Sequence, residues 1–393
     1  ALLSTADACI TDLSPTELTR LKIDYETLET AHPELVAVYT TPFGLTGPYR
    51  NYKGTDLVIY HMGGLGYETP WFSVTDLENE YPLRAGGYQS EQITGWTTAL
   101  ASMIAIFYKN KYGHGQMVDV SAMECVADHI RTNFATYSHE ISQLPESRLK
   151  AHFPWIWKCT DGYISTSFSL QHWWDALRNL MGEPNWIAEG GYSDVNDLVA
   201  GADDIGPKIA KWMRKYTRGQ LFEMLQSKGV PCFPVHSSSE VINSPHYLER
   251  GFFVYQKHPV AGIFLQPGPP VRMSETPWSL NSPAPLLGQH NQEILNSLNP
   301  DQNQTAINTD SQYSIGERNK PLQGIRILDF GWILSVPHAT QWLGTMGAEV
   351  LRVESQAHLE PSRSSDKAKT DGVQGVNRSG GWNNNNYSKL GVD

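Results

Sequence analysis

The chain has 393 residues, 40% of them hydrophobic and 18% charged, with a formal net charge of −11 at pH 7. That length predicts about two domains with sizeable cores. The acidic balance argues against general nucleic-acid binding, which needs a basic surface, but leaves room for a phosphorylated ligand held by a few local Arg or Lys side chains. Four cysteines (Cys9, Cys125, Cys159 and Cys232) stand far apart with no C-x-x-C pair. No zinc site or redox dithiol is therefore indicated, no metal is expected, and the reading is reduced thiols in a cytoplasmic protein. No run reaches the roughly 18 apolar residues that span a bilayer, and no signal peptide is visible. The start at Ala1 in mid-domain sequence and the stop at Asp393 after an Asn run read as the ends of a piece.

In chain order, Ser14, Pro15 and Glu17 predict a helix start with a capping box. Residues 35–39 predict a buried strand, and 42–48, with two Pro and two Gly, a loop. Residues 91–108 read as a buried helix, 113–115 as a turn and 116–120 as a strand. Ser121 then opens a helix expected to run to about Tyr137. After Trp155 come a strand at 162–168, helices at 170–182, 204–216 and 218–228, and an extended stretch at 230–235. Residues 252–281 predict short strands and turns, and 290–298 a helix. The polar stretch 299–320 is the clearest linker. Beyond it, a strand at 324–330, a helix through Trp342 and a strand at 348–354 form a β-α-β unit, which implies a parallel sheet and an open α/β fold.

Six motifs then occur in one order: Pro42-Phe-Gly-Leu-Thr-Gly-Pro48, Gly113-His-Gly-Gln-Met-Val-Asp-Val-Ser121, Asp161-Gly-Tyr163, Arg250-Gly-Phe-Phe253, Gly268-Pro-Pro270 and Leu287-Gly-Gln-His290. In this order they resemble the class III CoA-transferases, the family of the formyl-CoA and carnitine CoA-transferases. Gly324-Ile-Arg-Ile-Leu-Asp-Phe330 and Gly347-Ala-Glu-Val-Leu-Arg-Val-Glu354 resemble the family's opening, yet follow the linker. The resemblance implies a tandem protein: residues 1–298 as repeat one lacking its first stretch, 299–320 as linker, and 321–393 as the start of repeat two. It also implies an α/β fold with an open parallel-sheet CoA-binding domain plus a smaller α+β domain. In the family two such chains interlock, here as intramolecular repeats or as a homodimer.

The implied activity moves coenzyme A between an acyl-CoA and a small carboxylate, without metal, nucleic acid or membrane. A family Asp attacks the thioester and passes through a mixed anhydride and an enzyme-bound thioester. Counted from Ser121, the matching residue is Glu124, one methylene longer. Glu124 also completes the pattern of a capping box with Ser121, so the sequence leaves both roles open. Asp56 matches an acidic residue near the family's active site. Arg20, Lys53, Ile333, Leu334 and Ser335 match positions that contact CoA. Leu334 stands where formyl-CoA enzymes carry Gln, and 139–158 lacks their glycine-rich flap. Racemases resembling the family pair an Asp at Asp119 with a His where Thr55 stands here, so α-methylacyl-CoA racemization loses its second acid/base group. The tandem layout resembles the double-repeat members that act on dimethylsulfoniopropionate. Trp155, Trp157, Trp173 and Trp174 offer aromatic faces to an onium cation, or simply fill a core. The remaining alternative is a non-catalytic structural repeat.

Overall fold

Ser14 Oγ accepts the Glu17 amide while the Glu17 carboxylate accepts the Ser14 N–H, which closes the predicted box, with Pro15 at the first helical position. Thr217 with Gln220 and Ser237 with Glu240 close two more. These helices belong to a computed structural model that describes residues 2–70, 74–140, 155–280, 282–298, 320–364 and 375–393. The chain divides into two compact units, Ala1–Lys150 with Pro300–Asp393, and Ala151–Asn299. The expected division into repeats at 1–298, 299–320 and 321–393 is a reading of the sequence, and the spatial units do not bear on it. Of the linker, all but Lys320 lies outside the described residues.

The first unit opens with β1 (Ala8–Thr11), α1 (Pro15–Leu21), α2 (Tyr25–Ala31), β2 (Val36–Thr41), α3 (Asp56–Met62), α4 (Gln89–Tyr112), β3 (Met117–Ser121), α5 (Ala122–Asp128) and α6 (Arg131–Glu140). β1, β2 and β3 form a parallel sheet in that order, with Val38 opposite both Ile10 and Val118. β2 is covered on both faces, and so reads as an unbroken apolar run. Val36 and Val38 pack on Ala105 of α4, while Ala37 and Tyr39 pack on Leu18 and Leu28 of α1 and α2.

In the second unit follow β4 (Ile156–Lys158), β5 (Tyr163–Thr166), α7 (Gln171–Met181), α8 (Asn185–Glu189), α9 (Val195–Ala200), α10 (Ala202–Met213), α11 (Arg218–Gln226), β6 (Cys232–Pro234), α12 (Ser238–Ile242), α13 (Pro245–Glu249), β7 (Phe253–His258), β8 (Gly262–Pro267) and α14 (Asn291–Ser297). β4, β5 and β6 are antiparallel, and β7 with β8 makes a hairpin within the stretch read as strands and turns. Trp157 and Trp174 are buried in this unit's core, with the Trp174 indole N–H donating to the Tyr192 carbonyl at 2.9 Å. These two indoles therefore present no open face to an onium cation, whereas Trp155 remains exposed.

The chain then returns to the first unit with β9 (Arg326–Asp329), α15 (Ser335–Thr345), β10 (Glu349–Val353), α16 (Gly380–Asn386) and β11 (Leu390–Val392). β11, β10 and β9 form a second parallel sheet, over a small core of Leu322, Ala348 and Val350. Among the described residues no helix is long and apolar enough to cross a membrane.

One element differs from the sequence reading, and another lies where that reading placed none. The helix expected from Ser121 to Tyr137 is broken at His129 and Ile130. There the backbone tightens to i→i+3 bonds (His129 N–H to Val126 O and Ile130 N–H to Ala127 O, both 3.1 Å), and Ile130 seats against Gly64, whose φ of +90° and missing Cβ make the room. The Asn run, a poor helix former in isolation, is helical as α16. Ser379 caps it, Asn385 and Asn386 donate to carbonyls one turn back, and Lys389 donates to Asn386.

Candidate active site

β3 ends at Ser121 on the carboxyl edge of a parallel sheet, the edge where open α/β folds place their ligands. Ser121 Oγ accepts the Glu124 N–H at 3.4 Å. The reciprocal bond found at the three closed boxes does not form. Among the described residues, no hydrogen bond or ion pair engages the Glu124 carboxylate, and the residue is exposed. The capping box read from sequence is therefore only half made, which leaves the carboxylate uncommitted.

That carboxylate lines a cleft of about 680 Å³ between the α5–α6 segment and α16. Glu124, Asp128, Arg131, Phe134 and Ser138 form one wall, and Gly380, Asn383 and Asn384 the other. Glu124 and Asp128 are one turn apart on the same helix face. Asp128 Oδ1 pairs with Arg131 Nη2 at 2.8 Å, and Asp128 Oδ2 lies 3.4 Å from His338 Nε2. Arg131 Nη1 reaches Gln341 Oε1 at 2.6 Å and His338 Nδ1 at 3.0 Å. A guanidinium only donates, so Nδ1 accepts and the imidazole proton sits on Nε2, facing Asp128. Burial, and after it the Arg131 charge, hold the His338 pKa below the ordinary imidazole range, while Asp128 opposes the shift. Burial and the Arg131 charge thus both favour the neutral ring.

Asp56 opens α3 and is buried. Its Oδ1 accepts the Ser90 N–H at 3.0 Å and its Oδ2 lies 3.2 Å from Arg84, so it ties α3 to the start of α4. α3 in turn packs on α5 through Ile59 and Val126. Arg20 and Lys53 are exposed, and neither lines the cleft. Both act on Glu17, whose carboxyl is held low first by its Ser14 hydrogen bonds and then, more weakly, by these two charges. Ile333 has φ of +63°, a strained value for a β-branched residue. Leu334 and Ser335 begin α15 without a side-chain cap. One turn on, His338 meets Asp128 and Arg131, so the Ile333–Ser335 loop leads directly to the cleft.

Asp119 accepts the Leu45 N–H with both oxygens, at 3.1 and 3.2 Å, and so pins the 42–48 loop at Gly44, where φ is +81°. Behind the Ile333–Ser335 loop lies a buried ionic cluster. Asp329 accepts from Thr340 Oγ1 at 2.6 Å, the Gly331 N–H at 2.8 Å and Lys389 at 2.9 Å, and pairs with Arg352 at 3.1 Å. Arg352 also pairs with Glu360 at 2.7 Å and donates to the Gly331 carbonyl. Burial by itself pushes the Asp329 carboxyl up, but Thr340, Lys389 and Gly331 outweigh it and pull the pKa down to about 2. Among the described residues no group of three or more His, Cys, Asp or Glu is placed to hold a metal ion.

Sequence reasoning did not single out Asp128, Arg131, His338, Gln341, Asn383 or Asn384. Arg131 and His338 are 207 positions apart, and no spacing rule joins them. For Asp128 alone there was a signal, its i+4 offset from Glu124. The flap region falls partly on 141–154, outside the described residues.

The model of CoA-transferase family III matches residues 1–291 and 322–393. The succinyl-CoA–D-citramalate CoA-transferase of Chloroflexus aurantiacus is 24% identical over 306 residues, covering 74% of this chain and 72% of that protein. The succinate–glutarate CoA-transferase of Agrobacterium fabrum is 25% identical over 302 residues, covering 76% and 74%. The crystal structure of a CAIB/BAIF family protein from Brucella suis superposes with a TM-score of 0.64 at 23% identity over 76% of this chain and 77% of that one, a likeness of fold.

Proposed function

The chain belongs to CoA-transferase family III, and from that premise we propose that Glu124 is the nucleophile of a transfer of coenzyme A from an acyl-CoA to a carboxylic acid. The observation that carries the proposal is the half-made cap: the Glu124 backbone is fixed by Ser121 while its carboxylate stands free in a cleft. A Glu124 oxygen attacks the thioester carbonyl, the C–S bond breaks, and CoA thiolate leaves a mixed anhydride behind. The thiolate then attacks the Glu124 carbonyl, displaces the donor acid and forms an enzyme-bound thioester. The acceptor carboxylate attacks that thioester, and the returning thiolate resolves the second anhydride into the new acyl-CoA and free Glu124. The exposed first turn of α15 after Ile333, Leu334 and Ser335, together with the cations Arg20 and Lys53, would hold the CoA substrate. Asp56 supports the site by fixing α3 against α5.

We assign the acid to the onium carboxylates, with dimethylsulfoniopropionate first and carnitine second. Phe134 lines the cleft with 52% of its surface exposed, and an aromatic face attracts an onium cation. Arg131 neutralises only one of the cleft's two carboxylates, and the excess negative charge suits the same cation. Lyase chemistry on the resulting CoA adduct would follow from that substrate. Free cysteines, three of them buried, support the cytoplasm as the compartment. The test is to incubate the chain with acetyl-CoA and a panel of acids that includes dimethylsulfoniopropionate, carnitine and succinate, and to weigh the CoA esters. A dimethylsulfoniopropionyl ester, or dimethyl sulfide release, supports the assignment; exchange with succinate alone removes the onium part.

A second reading, that residues 1–298 are a structural partner, draws on the extra methylene of Glu124 and on its N–H bond to Ser121. Full exchange in Glu124→Ala would establish it. Racemization is disfavoured because Asp119 is committed to the Leu45 amide.

A further inference from the structure

Two residues of the cleft lining each carry a side-chain donor that is shut off from water and, among the described residues, has no hydrogen-bond partner: Arg131 Nε and Asn384 Nδ2. Unpartnered buried donors are uncommon in folded proteins, and each calls for a cause. Local packing does not supply one here. Arg131 spends both hydrogens of Nη1 on His338 and Gln341, and Nη2 pairs with Asp128. What remains includes Nε–H, on the edge a guanidinium uses for side-on contact with a carboxylate. Asn384 sits in a run of four asparagines. Asn383 donates its amide to Asn377 O at 3.0 Å, Asn385 to Gly381 O at 3.1 Å, and Asn386 to Trp382 O at 3.0 Å. In this run the exception is Asn384, and its place is on the cleft wall.

The two residues stand on opposite walls, α6 and α16, and Glu124 lines the same space. Asp128, the nearer acid on the α5 face, is already paired with Arg131 and faced by His338, so it does not compete for the donors. An acceptor oxygen from outside the chain is the group this arrangement lacks. We propose that Arg131 Nε and Asn384 Nδ2 form the subsite that binds the carboxylate of the acid substrate and holds it beside Glu124. The proposal rests on the reading that the cleft takes a carboxylic acid. His338 and Gln341 act through Arg131 as positioning residues: they fix its guanidinium so that Nε–H is left for the ligand.

Asn384→Ala tests this without touching the Asp128–Arg131–His338 contacts. The probes are dimethylsulfoniopropionate and succinate, titrated calorimetrically into the full chain and also varied in steady-state exchange with acetyl-CoA. The expected result is a rise of about tenfold or more in Kd and KM for the preferred acid, the loss of one good hydrogen bond to a charged group. The KM for acetyl-CoA should stay within about twofold, and the melting temperature should hold or rise, because an unpartnered donor has been removed. Arg131→Lys keeps the charge but deletes Nε–H, and should raise the acid's KM in the same direction. Unchanged acid binding in Asn384→Ala overturns the subsite, as does a lowered melting temperature with both KM values raised alike. Glu124→Gln separates the two claims. If this variant exchanges CoA normally while Asn384→Ala still loses acid affinity, the subsite stands and the nucleophile reading falls. If Glu124→Gln is dead and Asn384→Ala exchanges with its acid KM unchanged, the reverse holds.

Discussion

Asp329→Asn removes the anion at the centre of the buried cluster behind the Ile333–Ser335 loop. Asp329 is fully buried, and its carboxyl is pulled from an ordinary 3.8 down to about 2. A drop of nearly two, at about 1.36 kcal/mol for each unit of pKa, corresponds to about 2.5 kcal/mol. The independent expectation for breaking a buried ion pair is about 3–5 kcal/mol. Asn keeps an acceptor for the Gly331 N–H, and Lys389 keeps the Pro337 carbonyl at 2.7 Å and Asn386 at 2.9 Å. The cost should therefore fall at the low end, about 3 kcal/mol. Because the folded pKa lies below the unfolded one, this stability is fully present above the unfolded pKa. It is lost as pH falls from about 4 toward about 2. Urea unfolding at neutral pH and again across that acid range reads both effects. In wild type the midpoint should fall through the acid range, and in Asp329→Asn that part of the fall should disappear. The variant should also raise the KM for acyl-CoA, since Arg352 holds the Gly331 carbonyl that begins the loop. A neutral-pH loss below about 1 kcal/mol, with the acid slope unchanged, would refute the reasoning.

Gly115→Ala should destabilise by about 2–3 kcal/mol, because a Cβ there runs into the Leu35 carbonyl at the start of β2; a melting curve equal to wild type would count against the β2–β3 register. Trp174→Ala empties a fully buried site and orphans the Tyr192 carbonyl, so chemical unfolding should show a loss of about 3–5 kcal/mol. Asp119→Asn keeps an acceptor for Leu45 and should leave exchange within about twofold. Deuterium uptake at the acyl α-carbon that depends on Asp119 would contradict its structural assignment.

Local rules reached far into this fold. Ser14, Pro15 and Glu17 announced α1 because a cap is written within four residues, and the apolar run at β2 announced a strand covered on both faces. The β9-α15-β10 unit was legible for the same reason. The break between α5 and α6 was not, because it depends on Ile130 meeting Gly64, a contact no period of the sequence encodes. α16 was hidden by its composition: four asparagines favour turns until Ser379, Lys389 and the α6 face hold them in a helix. At the site, Glu124 could be found from its offset to Ser121, but whether its carboxylate turned back to the cap was a question of geometry. Arg131, His338 and Asn384 come together only when segments from either end of the chain fold into one unit.

If Glu124 carries the acyl and CoA groups covalently, the adduct can be trapped on it. The direct test is to mix the chain with acetyl-CoA, quench with hydroxylamine, digest, and sequence the peptides by mass. The expected product is a hydroxamate on Glu124, formed only when acetyl-CoA is present and absent from Glu124→Gln. Turnover with no hydroxamate on Glu124, or a hydroxamate on another carboxylate, would contradict it.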